Sequence, residues 1–259
     1  MLAAIKIAES GTREDVENII SSEGDVKRDV DNNTLLHYAC LAGNLDTVMA
    51  LVNGGYYVNA PNVEGHTPLC DAAIHGSPDV VRYLIQNGAN VNPPAYWGSP
   101  LNYAVRNGRF HALVLLINGG ADINGCDRTG FCAIHVAVEN KLYDAAEYLL
   151  MSGADPNRRV RLTTPLHMAA KQQDLRLVRL LLSHGASPYP TDADGLTPLD
   201  YSSKGSDVYK LLNSYMGWVP SLQFLTRIAI KGFLPSFRQE NIRKLPIPQH
   251  LRDYLAFKC

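Results

Sequence analysis

The sequence predicts an all-α solenoid, a row of stacked helical hairpins, on three observations. A short motif recurs at near-constant spacing, a second motif recurs in phase with it, and each interval between them carries one apolar stripe of helical period. The first motif reads TLLHYA, TPLCDA, SPLNYA, CAIHVA, TPLHMA and TPLDYS, starting at Thr34, Thr67, Ser99, Cys132, Thr164 and Thr197, at steps of 33, 32, 33, 32 and 33 residues. The second reads NGGYYVN, NGANVN, GGADIN, SGADPN and HGASPY, spanning 53–59, 87–92, 119–124, 152–157 and 184–189. A period in this range marks a chain of units that bury their apolar faces on one another.

Each element of a unit has a local cause. The opening Thr or Ser is an N-cap, and the Pro after it occupies the first helical turn, where its missing N–H leaves no bond unmade. Ala39, Ala72, Ala104, Ala137 and Ala169 recur inside the first helix, where small side chains let neighbouring helices approach. The second helix carries a stripe such as Val80, Val81, Leu84 and Ile85, or Leu177, Val178, Leu180, Leu181 and Leu182. A Gly then ends it in the left-handed region. Asn59, Asn92, Asn124 and Asn157 each follow a Leu by eight residues and are predicted to stabilise turns. Residues 1–30 hold two short helical patterns split by Gly11 and lack the first motif, so they are expected to cap the stack.

These motifs resemble ankyrin repeats, whose marks are TPLHxA and GADxN. The resemblance covers residues 1 to about 217 and implies an ankyrin-repeat solenoid of six in-phase repeats plus an N-terminal capping unit. It also implies that His37, His135 and His167 bond backbone in the neighbouring turn.

Composition narrows the function classes. The chain has 259 residues and a net charge of −1. Residues 218–259 hold seven Lys/Arg against two Asp/Glu, a net +5, which leaves −6 for 1–217. Basic residues in the tail are scattered among apolar ones, so no nucleic-acid surface is expected. The five cysteines, Cys40, Cys70, Cys126, Cys132 and Cys259, form no CxxC pair and are expected to be free thiols in a reducing compartment. His37 and Cys40 have a ligand-compatible spacing, but nothing joins them. No signal peptide or membrane span is expected, and the predicted location is the cytoplasm, with the nucleus also open. No nucleophile–base pair, phosphate loop, metal cluster or cofactor site stands out, which predicts a non-catalytic protein.

After Tyr215 the periodicity stops. The helix predicted from about Ser221 to Lys231 is apolar nearly all round, with Leu222, Leu225, Ala229 and Phe233 on one side and Phe224, Ile228 and Ile230 over much of the rest. Such a helix is buried on more than one face, and some forty residues lack the core to do this alone. A partner is therefore expected. The tail resembles a SOCS box of three helices, giving domains of 1–217 and 218–259. Ser221, Leu222, Leu225, Thr226 and Ile230 match its elongin-binding part, with Thr226 where the family has Cys. Ile242, Leu245, Pro246, Ile247, Pro248, Leu251, Tyr254 and Leu255 match its cullin-5-binding part. This resemblance implies a substrate-recognition subunit that brings a protein target to elongin B, elongin C and cullin-5 with its RING subunit. The reading from another class is an ankyrin scaffold or inhibitor whose box is only structural.

Two turns break the repeat. One places Tyr96 and Trp97 before Ser99, and the other carries Arg158, Arg159 and Arg161 and lacks the usual Gly. Exposed aromatic and Arg side chains are favoured anchors, so both turns are candidate substrate contacts.

Overall fold

The computed structural model describes residues 2–11, 14–15, 17–18, 28–94 and 98–216. Helix α1 (Leu2–Ser10) precedes five helical pairs: α2 (Leu35–Ala42) with α3 (Leu45–Asn53), α4 (Pro68–His75) with α5 (Pro78–Gln86), α6 (Pro100–Arg106) with α7 (Phe110–Asn118), α8 (Ala133–Glu139) with α9 (Tyr143–Met151), and α10 (Pro165–Lys171) with α11 (Leu175–Ser183). Helix α12 (Asp207–Met216) closes the described stack. No strand is present among the described residues, only three isolated antiparallel bridges: Arg28–Thr34, Cys126–Cys132 and Val160–Thr163.

Helix starts fall where the motifs put them. Thr34, Thr67, Ser99, Cys132 and Thr164 are the N-caps of α2, α4, α6, α8 and α10, and Pro68, Pro100 and Pro165 stand in first turns. First helices pack on one another in one row and second helices in another. The core runs between the rows. Leu36, Leu69, Leu101, Ile134 and Leu166, the third residue of each motif, are fully buried, as are Leu51, Leu84, Leu116 and Leu149 from the second helices. Each such side chain contributes about 1.5–3 kcal/mol on removal from water. The five recurring Ala are fully buried between first helices, which is why nothing larger stands there.

The sixth motif departs from expectation. Thr197–Ser202 forms turns rather than a helix. Asp200 holds the place of the His, and its Oδ2 accepts from the Thr197 backbone N–H at 2.8 Å and from the Thr197 hydroxyl at 2.6 Å. Ser202, Ser203 and Gly205 follow, and their low helix propensity stops the turn from propagating.

Candidate functional site

Three side-chain devices fix the hairpin edge of the stack. The first is the buried His of the motif. His37 Nδ1 accepts from the Thr34 backbone N–H at 3.0 Å, while Nε2 meets the His66 carbonyl of the next unit at 3.3 Å. His135 does the same with Cys132 N–H at 3.3 Å and the Arg158 carbonyl at 3.0 Å. In the fifth unit, His167 does so with Thr164 N–H at 3.2 Å and the Leu196 carbonyl at 3.1 Å. Burial depresses all three imidazoles below their ordinary range, His37 to about 4. The neutral ring is the form that can accept at Nδ1 and donate at Nε2.

The second device is the recurring Asn. Asn59 donates to the Gly88 carbonyl at 3.0 Å and accepts from Asn90 N–H at 2.7 Å. Asn92 pairs likewise with Gly120 and Asp122, Asn124 with Gly153 and Asp155, and Asn157 with Gly185 and Ser187, all between 2.7 and 3.3 Å. These side chains stitch one repeat to the next, which is more than the turn stabilisation expected of them.

A carboxylate or carboxamide inside four of the described tips is the third. Asp29, Asn62, Asp127 and Asp192 each accept from the backbone N–H two and four residues on. The sequence reading did not single out this set.

The cysteines need a correction. Cys126 and Cys132 are joined in a disulfide, and only Cys40 and Cys70 are free thiols among the described residues. The cause is register: Cys126 and Cys132 occupy the paired positions at the base of a tip that Arg28 and Thr34 occupy in the first unit. The in-phase spacing from Cys132, which stands where other motifs have Thr, carried that signal. Burial pushes the Cys70 thiol up to about 11 and Cys40 well above its usual value, so both are inert. Among the described residues, no group of three His, Cys, Asp or Glu is placed to hold a metal ion. No described helix is long and apolar enough to cross a membrane.

The Arg tip is the shortest of the described ones. Val160 N–H donates to the Thr163 carbonyl at 2.9 Å and Thr163 N–H returns to Val160 at 2.8 Å. Only Arg161 and Leu162 lie between, at φ of 48° and 68°. A two-residue turn of this hand needs positive φ at both central positions and favours Asn-Gly. Arg158, Arg159, Arg161 and Leu162 are exposed, and Val160 is buried beneath them. Leu162 was missed by the sequence reading, because only the closed turn reveals its position.

Tyr96 and Trp97 lie outside the described residues. So do Ser221, Leu222, Leu225, Thr226 and Ile230, and Ile242, Leu245, Pro246, Ile247, Pro248, Leu251, Tyr254 and Leu255.

The stacked pairs, the His brackets and the Asn ladder together define an ankyrin-repeat protein. Family models for ankyrin repeats match residues 1–95, 96–160 and 158–202, and a SOCS box model matches 219–256. The chain belongs to the ankyrin repeat and SOCS box family. It is 30% identical over 160 residues to mouse (Mus musculus) ankyrin repeat and SOCS box protein 5, covering 62% of this chain and 49% of that protein. The figures for human (Homo sapiens) ankyrin repeat and SOCS box protein 11 are the same. The chain therefore spans about half the length of the curated relatives it matches. Among solved structures, the human ASB11 ankyrin repeat domain superposes with a TM-score of 0.74 at 28% identity, covering 82% of this chain and 96% of that one. The ankyrin repeat domain of Bcl-3 gives 0.72 at 26%, covering 81% and 97%.

Proposed function

We propose that this chain is the substrate-recognition subunit of an elongin B/C–cullin-5–RING E3 ubiquitin ligase. The observation that carries the reading is a SOCS box match over 219–256 directly behind an ankyrin stack. The tail's first predicted helix is apolar nearly all round, which favours a partner over a simple end cap. Domains of 1–217 and 218–259 divide the work. The stack holds a protein target, with Tyr96, Trp97 and the Arg158–Arg161 turn as its contacts. The box brings elongin B, elongin C and cullin-5. The chain itself is non-catalytic and contributes proximity, holding target lysines near a ubiquitin-loaded enzyme supplied by other subunits. It works in the cytoplasm, and the nucleus is open to it.

Affinity capture from cells tests this. Elongin B/C and cullin-5 should co-purify with the full chain. Leu222→Asp should weaken elongin recovery about tenfold, the equivalent of losing one buried Leu. Replacing Leu245 through Pro248 by Ala should remove cullin-5 and leave elongin B/C bound. Elongin recovery unchanged in Leu222→Asp would sink the proposal and favour a plain ankyrin scaffold.

A further inference from the structure

Two neighbouring tips expose Arg128, Arg158, Arg159 and Arg161 between them. The first spans Cys126–Cys132 and exposes Arg128. The second exposes Arg158, Arg159 and Arg161, none of which is ion-paired with a described carboxylate. These tips touch. A Cβ on Gly130 would stand 3.6 Å from Val160 Cγ2, and His135 of the first unit holds the Arg158 carbonyl of the second.

Two carboxylates, Asp127 and Asp155, stand in the same units. Asp127 Oδ1 accepts from Thr129 N–H, the Thr129 hydroxyl and Phe131 N–H, while Oδ2 faces Arg106 at 3.6 Å. Asp155 Oδ1 accepts from Asn157 N–H. Both carboxylates keep their charge when hydrogen-bonded, but they are outnumbered by Arg128, Arg158, Arg159 and Arg161, so the patch is positive on a stack whose residues 1–217 carry −6.

Leu162 sits within this patch at 49% exposure. Gly or Asn would take its φ of 68° with little steric cost, whereas Leu there is strained. Strain at an exposed position, with no core contact to explain the side chain, points to a use for that side chain.

We propose that the tips bearing Arg128 and Arg158–Leu162 form a docking surface for an acidic protein segment that sets an apolar side chain against Leu162. The proposal rests on the reading of the stack as the target-holding part, and it names the class of target. Guanidinium forks match carboxylates two bonds at a time, and the flanking charges steer the encounter. A nucleic acid is disfavoured, because the exposed Leu162 at the centre of the patch offers nothing to a phosphate backbone, whereas a protein segment can set an apolar side chain against it.

The test uses the full chain and a fluorescein-labelled peptide of repeated Glu-Glu-Leu triplets, followed by anisotropy. Controls are Lys-Lys-Leu and Glu-Glu-Ser peptides and a single-stranded oligonucleotide of the same charge as the acidic peptide. Glu-Glu-Leu should bind at least about tenfold more tightly than any control and weaken as salt rises. Arg158/Arg159/Arg161→Ala should lose that binding. Leu162→Gly should lose it too while unfolding no earlier than wild type, since Gly suits this φ. Equal binding of acidic and basic peptides overturns the proposal. So do undiminished binding by the triple variant, undiminished binding by Leu162→Gly, and tighter binding of the oligonucleotide. Elongin B/C capture on the same preparations separates the two readings. Peptide binding without elongin capture refutes the ligase role and supports the patch, and the converse refutes the patch alone.

Discussion

Tip Cys126–Cys132 and tip Val160–Thr163 stand side by side, rest on the same His135, and close in opposite ways. The first has a three-residue turn around Asp127, a Gly at φ 85° and a disulfide at its base. The second has no Gly, no Asx carboxylate and no covalent tie, and its backbone turns through Arg161 and Leu162. Below the tips the two units share the His bracket, the buried Ala and the Asn stitch. The comparison teaches that the base is set by packing and hydrogen bonding, while the tip chemistry can be exchanged wholesale without disturbing it.

The largest effect should come from removing the shared support. His135→Ala strands the Cys132 N–H and the Arg158 carbonyl, and loosens both tips together. The expected loss is about 2–4 kcal/mol for one buried and one half-buried group left unpaired, together with the cavity left by the ring, read by urea unfolding. A loss well under 1 kcal/mol would mean that the tips hold themselves up.

Acid attacks the same support. An unfolded His binds a proton near pH 6.5 that the folded, depressed His refuses, so this stability is present above about 6.5 and is lost as pH falls toward 4. At pH 5, His37 alone should forfeit about 2 kcal/mol, and His135 and His167 add to it in the same direction. The measurement belongs in an Asp71→Asn background. Burial pushes Asp71 up to about 7, so its protonation below pH 7 stabilises the fold and runs against the His effect. A unfolding midpoint in that background that does not move between pH 7.5 and 5 would contradict the neutral His bracket.

Reducing the disulfide should distinguish the tips. The loop it closes is short, with a sequence separation of six, so the chain-entropy gain is about 2 kcal/mol at most. A released Cys132 thiol can cap as the Thr164 hydroxyl does, returning part of that. The net cost is expected at about 1–2 kcal/mol, and amide exchange should quicken around Asp127–Phe131 but not around Val160–Thr163. The smallest effect has the opposite sign. Leu162→Gly should stabilise the chain by about 0.5–1 kcal/mol by removing a strained φ, and a fall in thermal midpoint would show that the Leu side chain packs on something essential.

The regular parts of this fold were readable because their causes are local. A Thr before a Pro, an Ala every 32 or 33 residues and a Gly after an apolar stripe each act within one helix. What sequence missed depends on pairing across a turn. Cys126 and Cys132 look like isolated thiols until Arg28–Thr34 shows that those two positions face each other. The sixth motif reads TPLDYS, close to the others, yet the Ser residues and Gly205 that follow keep it from becoming a helix. Arg158, Arg159 and Arg161 could be singled out by their break from the repeat, whereas Leu162 could not. The tail was legible by its motif, and its family model match over 219–256 agrees with reading it as a SOCS box.

The Asn stitches have a mechanical consequence. Asn59, Asn92, Asn124 and Asn157 form an evenly spaced spine at the base of the hairpins, one carboxamide clasp per junction. A row of such clasps has nearly fixed length, so a change in curvature pivots about it. The tips project beyond the spine like fingers beyond the knuckles, and a small rotation at each clasp becomes a larger change in their spread.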